Sequence, residues 1–175
     1  MTNIVIAGIG QTPVGEHWNT SLRELSLMAI EAVQEDSAGL QPQALFISNM
    51  LAARLSGQSH LGTLLDDFAG MAGIEAVSIE AGGASGGAAL RAAYLSVLSG
   101  EVGVALVVGV EKFTDQTGST VEESLTGLGD SDYEAAQGLT PTAQAALLMQ
   151  RYMHEFEAPR QAFASFPVVA HANGV

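Results

Sequence analysis

The sequence predicts an α/β fold with a largely parallel sheet, and three observations support this prediction. Short apolar runs alternate along the chain with longer segments that have helical periodicity. The apolar runs lack alternating polar residues, which is typical of parallel strands buried on both faces. Near the middle of the chain, residues 77–90 predict a strand, a glycine-rich turn and the start of a helix in direct succession.

The first two strands and helices are predicted from apolar runs and capping residues. Residues 4–7 form a brief apolar run that glycines end, which predicts a buried first strand. Ser21 and Glu24 have capping-box spacing and predict the start of the first helix. Residues 44–47 predict the second strand, and Ser59 is the expected cap of the second helix.

The third helix is the unusual element of the chain. Residues 77–81 predict the third strand, residues 84–99 the third helix, and residues 102–110 a fully buried fourth strand. Apolar side chains surround the third helix, broken chiefly by Arg91. A helix that is apolar all round is buried on all sides, so we expect it at the centre of the fold.

Beyond Thr114 the composition becomes acidic and polar, which predicts a connecting region. Thr140 and Pro141 then predict a helix with proline at its first position. Pro159 is expected to open another helix, and Pro167 to kink or end it.

Composition restricts the classes of function. The 175 residues suit one domain, and a net charge of −13 with only six Lys and Arg residues disfavours nucleic-acid binding. Cysteine is absent, which excludes thiol catalysis and cysteine-based metal sites in this chain. We see no signal peptide and no apolar run long enough to span a membrane, so the expected location is the cytoplasm.

The glycine-rich turn offers one direct catalytic hypothesis. Gly83, Ser85 and Gly87 match the Gly-x-Ser-x-Gly pattern of serine hydrolases, in a strand–turn–helix context. Acidic and histidine residues follow in the order that such a triad needs: Asp115, Asp130, Asp132, His154 and His171. The alternative is that the Ser85 hydroxyl satisfies a nearby backbone group.

Other polar features favour structural roles. Gly8 and Gly10 follow an apolar run, but their spacing does not fit a dinucleotide-binding motif. The remaining candidates are expected to be surface, cap or structural residues, and no metal site is predicted. They are Asp66, Asp67, Asp130, Asp132, His17, His60 and Arg91.

Taken together, these segments resemble the N-terminal half of a thiolase, especially the sterol-carrier-type and archaeal acetyl-CoA acetyltransferase branch. The resemblance is carried, in order, by residues 8–15, 79–93, 99–100, 105–112, 151–155 and 170–173. It implies half of a layered αβαβα fold, in which the third helix lies between two stacked sheets. It also implies that residues 1–113 form the core of the N-terminal half and residues 114–175 a loop-domain region.

One departure from the family concerns the turn. The resemblance places Gly83 where thiolases carry the cysteine that attacks acyl-CoA, so this chain has no side chain for a thioester there. The implied substrate is a coenzyme A thioester, without a covalently bound cofactor. The substrate-binding residues implied around this vacant nucleophile position are Gly82, Ala84, Ser85 and Gly86.

The second departure is length, because the chain ends about where a second thiolase half is expected to begin. The third helix is then expected to leave one apolar face for a C-terminal half or a second thiolase-like chain. Thiolase dimers pair their third strands, which implies a homodimer interface at Val77, Ser78, Ile79 and Glu80.

Two functions follow from the resemblance. The first is carbon–carbon bond cleavage or formation on acyl-CoA, of retro-aldol or acyltransferase type, with catalytic residues from another chain. Similar cysteine-lacking proteins resemble steroid side-chain aldolases that work with a small OB-fold and zinc-ribbon partner. The second is a non-catalytic structural or regulatory thiolase-like subunit.

Overall fold

The computed structural model describes residues 3–174 and divides the chain into two compact units, Met1–Ser124 and Leu125–Val175. Seven α-helices and one three-stranded parallel sheet occur among these residues. This is the α/β class with a parallel sheet that the sequence predicts. No helix within residues 3–174 is long and apolar enough to cross a membrane.

The first unit contains the sheet. Its elements in chain order are α1 (Leu22–Asp36), β1 (Ala44–Ser48), α2 (Ala52–Leu55), α3 (Leu61–Phe68), β2 (Glu75–Ile79), α4 (Ser85–Ser99) and β3 (Ala105–Gly109). The helix α5 (Gly118–Thr126) carries the point of division after Ser124. The strand order is β2-β1-β3, so the fully buried β1 lies at the centre.

Helices cover both faces of this sheet. Leu45 and Ile47 of β1 pack in one apolar cluster with residues of α1 and α3. Phe46, which points to the opposite face, packs with Ala89 and Ala93 of α4. The alternation along β1 therefore places α1 and α3 on one side and α4 on the other.

Several helix boundaries follow the predicted capping chemistry. The Ser21 Oγ accepts a hydrogen bond from the Glu24 N–H at 3.3 Å, and the Ser21 N–H donates to Glu24 Oε2 at 2.7 Å. Gly100 ends α4 in the left-handed region with a φ of 81°. Ser59 is not the cap of α3: His60 takes the N-cap position in a left-handed conformation and makes no side-chain cap bond.

The predicted first strand is wrong. Residues 3–10 form no strand, and Val5 and Ile6 are each 76% exposed. The Ile9 N–H donates to Asp36 Oδ2 of α1 at 2.8 Å rather than to a neighbouring strand. Gly8 and Gly10 lie so close to α1 that an added Cβ would be 2.8 Å from Ser37 Cβ and 2.4 Å from the Val33 nitrogen, respectively. This segment is therefore held by α1 and not by the sheet.

The prediction that α4 is covered on all sides holds for only one face in this chain. Ala89 and Ala93 are buried against the sheet, whereas Leu90 and Tyr94 are 55% and 49% exposed. Periodicity identified the apolar surface of this helix, but residues 3–174 form only one sheet that could cover it. The uncovered apolar face expected from the chain length is therefore present.

The second unit is helical and includes α6 (Pro141–Phe156) and α7 (Ser165–Asn173), with short 3₁₀ segments at Ala135–Gln137 and Arg160–Phe163. The Thr140 Oγ1 accepts from the Ala143 N–H at 3.2 Å, which confirms the predicted start of α6. Pro167 does not end its helix, because it lies in the first turn of α7, where an N–H has no intrahelical partner.

Candidate functional site

The glycine-rich turn lies at the carboxyl edge of the parallel sheet. Residues 80–84 connect the end of β2 to the start of α4. Because the three strands are parallel, Ser48 at the end of β1 and Gly109 at the end of β3 lie at the same edge. Ligand sites of open α/β sheets lie at this edge, so the fold places the turn at a suitable position for a site.

The two positions at the centre of the turn differ in whether the backbone requires glycine there. Gly82 has a φ of +56°, a left-handed conformation that disfavours any residue with a Cβ. Gly83 is outside the left-handed region, is exposed, and an added Cβ would meet no heavy atom within 4 Å. The backbone therefore requires glycine at position 82, whereas position 83 has open space for a side chain.

The Ser85 hydroxyl is a structural group of the turn. Ser85 is 6% exposed, and its Oγ donates to the Gly82 carbonyl at 2.7 Å while it accepts from the Ala81 N–H at 2.9 Å. Both partners belong to the backbone, so the hydroxyl holds the turn closed against the first turn of α4. This is the role expected under the alternative to a serine nucleophile.

Glycines also allow close packing around Ser48. An added Cβ on Gly109 would lie 3.0 Å from Ser48 Oγ, and one on Gly86 would lie 3.9 Å from the same atom. Ser48 is itself buried. The start of α4 and the ends of two strands therefore converge on one serine hydroxyl beneath the turn.

A carboxylate network at the same edge was missed by sequence reasoning. Glu111 Oε2 accepts from the N–H groups of Met50 and Leu51 at 2.9 and 3.0 Å, and its Oε1 accepts from Asn49 Nδ2 at 3.1 Å. Asn49 also donates to the Val110 carbonyl at 2.7 Å. The sequence pattern that could have predicted this network is the occurrence of polar residues directly after two parallel strands. The network joins the loops that follow β1 and β3.

Lys112 is the second group that sequence reasoning did not assign. Its side chain is 6% exposed and forms an ion pair with Asp115, whose side chain is 44% exposed. A buried ammonium group needs such a partner because its transfer from water is costly. The Lys112 ammonium group is therefore already paired with a carboxylate of this chain, which makes it unsuited to binding a ligand phosphate.

Comparison with known proteins decides the family. The profile of the thiolase N-terminal domain matches residues 4–175. The chain belongs to the thiolase family. It is 33% identical over 175 residues to an acetyl-CoA acetyltransferase of Methanothermobacter thermautotrophicus, covering 99% of this chain and 45% of that protein. It is also 36% identical over 177 aligned positions to an acetyl-CoA acetyltransferase of Methanocaldococcus jannaschii, covering 99% of this chain and 44% of that protein.

The chain thus spans less than half the length of these thiolase relatives. The described sheet has two outer strands, β2 and β3. The residues expected at a thiolase dimer interface, Val77, Ser78, Ile79 and Glu80, lie on the outer strand β2 and directly after it. Ser78 Oγ accepts from the Gly62 N–H at 2.8 Å, which fixes α3 to this strand.

Two of the acidic and histidine candidates bond nearby backbone groups. Asp130 Oδ1 accepts hydrogen bonds from the N–H groups of Asp132 and Tyr133 at 2.9 Å each, which closes a local turn in the second unit. The His17 ring bonds the Pro13 carbonyl through Nε2 at 2.8 Å. Within residues 3–174, no group of three His, Asp or Glu side chains is arranged to hold a metal ion.

Proposed function

We propose that this chain is the N-terminal half of a thiolase-like protein that processes acyl-CoA thioesters without an acyl-cysteine intermediate. Gly83 carries this proposal. It lies at the carboxyl edge of the sheet, it is exposed and unobstructed, and its backbone does not require glycine. The site therefore retains the space for a nucleophile but supplies no reactive side chain.

The reaction we propose is carbon–carbon bond cleavage of a β-hydroxyacyl-CoA, or its reversal. A base removes the proton of the β-hydroxyl group, whose electrons form a carbonyl as the Cα–Cβ bond breaks. The electron pair passes to the thioester enolate, which is then protonated at Cα, so nothing is oxidised or reduced. This route needs a base and enolate stabilisation but no nucleophile.

The base and most coenzyme A contacts are proposed to come from polypeptide outside this chain. Glu111 is unsuited to be the base because its two oxygens already accept three hydrogen bonds. Most of the Lys and Arg side chains already have partners within this chain. Lys112 and Arg151 form ion pairs, Arg54 donates to the Ser124 carbonyl, and Arg23 stacks on Phe68. Few cations thus remain to bind phosphates.

An assay on the complete natural assembly tests this function. The assembly, purified with its accompanying polypeptides, is incubated with β-hydroxyacyl-CoAs of different chain lengths and the products are separated. We expect a shorter acyl-CoA and a carbonyl compound in equal amounts. Absence of cleavage across the whole panel, together with absence of the reverse condensation, would contradict the catalytic proposal.

The second candidate is a non-catalytic subunit that binds acyl-CoA or scaffolds a catalytic partner. It is favoured by the engagement of both potentially reactive side chains, Ser85 and Glu111, with backbone groups. Calorimetric titration of the same assembly with acetyl-CoA separates the cases. Binding without turnover would support the acyl-CoA-binding form of this second role, and absence of binding would contradict both that form and the catalytic proposal.

A further inference from the structure

Asn49, the residue directly after the central strand β1, forms hydrogen bonds at the ends of both outer strands. Its backbone N–H donates to the carbonyl of Ile79, the last residue of β2, at 3.4 Å. Its Nδ2 donates to the Val110 carbonyl, directly after β3, at 2.7 Å. Because β1 lies between β2 and β3, one residue at its carboxyl end reaches both neighbours.

The side-chain amide of Asn49 is fully used. Its Nδ2 also donates to Glu111 Oε1 at 3.1 Å, and its Oδ1 accepts from the Ala52 N–H at the start of α2 at 2.9 Å. The partners determine which way the amide lies, because the nitrogen faces two acceptors and the oxygen faces a donor. An aspartate at this position would lack both donated protons, so the contacts require an amide.

The end of β2 that Asn49 holds is also the start of the glycine-rich turn. Residues 80–84 follow Ile79 directly and include Gly83. Bonds within the turn are local, since the Ala81 N–H donates to Ser85 Oγ and the Gly82 N–H donates to the Glu80 carboxylate. These local bonds set the shape of the turn, whereas the Asn49 contacts connect its beginning to the ends of β1 and β3.

We propose that Asn49 is a positioning residue for this site. Its hydrogen bonds hold the ends of the three strands together and so place the backbone of Gly82 and Gly83 where the substrate reacts. The location of the substrate at this turn rests on the proposed function. Asn49 acts indirectly, because its amide is bonded within the chain. Glu111 supports it by accepting from the next two N–H groups, those of Met50 and Leu51.

A positioning role predicts a lower kcat with little change in KM. Most coenzyme A contacts are proposed to come from polypeptide outside this chain, so substrate affinity depends little on the turn. A displaced reacting centre instead slows the chemical step, by up to about a hundredfold for a misplacement of about 1 Å. A purely structural role of Asn49 would lower stability and leave the kcat of the folded assembly unchanged.

Hydrogen exchange, followed by mass spectrometry of the complete assembly, tests the placement of the turn independently of activity. Asn49→Asp removes both donated protons and puts a second carboxylate beside Glu111. We expect the peptide that covers residues 80–84 to exchange at least about tenfold faster in this variant, with exchange in α1 unchanged. Asn49→Ala removes the amide without adding a charge and should accelerate the same peptide. Circular dichroism checks that each variant is folded.

A double variant, Asn49→Asp with Glu111→Gln, provides the rescue. The introduced glutamine can donate to the introduced aspartate while its oxygen accepts from the N–H groups of Met50 and Leu51. Of the contacts described, only the bond to the Val110 carbonyl is not restored. The double variant should therefore recover most of the protection of residues 80–84 and most of the kcat that Asn49→Asp loses.

Gln43 supplies the matched control, because its side-chain amide joins β1 to β3 at the opposite edge of the sheet. Its Oε1 accepts from the N–H groups of Gly103 and Val104, just before β3. Gln43→Ala should lower stability but leave both the exchange of residues 80–84 and the kcat unchanged.

Three exchange results would overturn the proposal: unchanged exchange of residues 80–84 in the Asn49 variants, equal acceleration in Gln43→Ala, and no recovery in the double variant. In an active assembly, a raised KM with an unchanged kcat in Asn49→Asp would also overturn it. Absence of turnover in the unmodified assembly would instead contradict the proposed function, and the exchange comparison would still decide whether Asn49 places the turn.

Discussion

Substitution of Gly83 tests whether this position is a vacant side-chain site or a glycine required by the backbone. An added Cβ at Gly83 meets no atom within 4 Å, and the residue is outside the left-handed region. Gly83→Ala should therefore change the free energy of unfolding by less than about 0.5 kcal/mol, as exposed substitutions usually do. A reduction in unfolded-chain entropy even favours a small gain in stability.

The neighbouring glycine provides the matched control. Gly82 has a φ of +56°, and a residue with a Cβ in this conformation costs about 1–2 kcal/mol. Urea denaturation followed by circular dichroism compares Gly82→Ala, Gly83→Ala and Gly83→Cys. Only Gly82→Ala should have a lower free energy of unfolding than the unmodified chain. A loss above about 1 kcal/mol in Gly83→Ala would refute the reasoning, because glycine would then be needed for the fold.

Substitutions at three further polar contacts test the remaining features of the first unit. Glu111→Ala should cost about 2–4 kcal/mol in urea denaturation, since two backbone N–H groups lose their acceptor, whereas Glu111→Gln should cost less. Asp115→Asn should destabilise more than Lys112→Met, because only the former leaves a buried ammonium unpaired; thermal unfolding compares them. Ser21→Ala should cost about 1 kcal/mol and move the pKa of Glu24 back toward its ordinary value in an NMR titration.

The direction in which acid changes the stability of the fold follows from the contact between Ser21 and Glu24. Hydrogen bonding by the Ser21 hydroxyl, and then by the Ser21 backbone N–H, lowers the pKa of the Glu24 carboxyl group. The stability that this carboxylate contributes is present above its unfolded pKa and is lost as pH falls through the lower folded pKa. Glu24→Gln should therefore flatten the acid limb of stability against pH, and an unchanged limb would contradict the assignment.

Local chemistry explains which elements the sequence predicts correctly. The Ser21 capping box, the Thr140–Pro141 start of α6 and the glycine that ends α4 depend on neighbours within one helical turn. The strand–turn–helix at the site is predicted for the same reason, with β2 displaced toward Glu75.

The errors and omissions concern long-range partners. An apolar run at residues 4–7 indicates burial but does not specify a pairing strand, and the glycines that follow it pack on α1 instead. Glu111 was missed because it bonds Met50 and Leu51, about 60 residues away along the chain. Such partners become apparent only when the loops after parallel strands meet at one edge.

The vacant position at Gly83 is tested most directly by intact mass spectrometry of the complete assembly during turnover of a β-hydroxyacyl-CoA. The account predicts that carbon–carbon cleavage proceeds while the mass of this chain remains unchanged, because neither Gly83 nor the backbone-bound Ser85 accepts an acyl group. A covalent acyl adduct on this chain that forms and decays at the rate of turnover would contradict it.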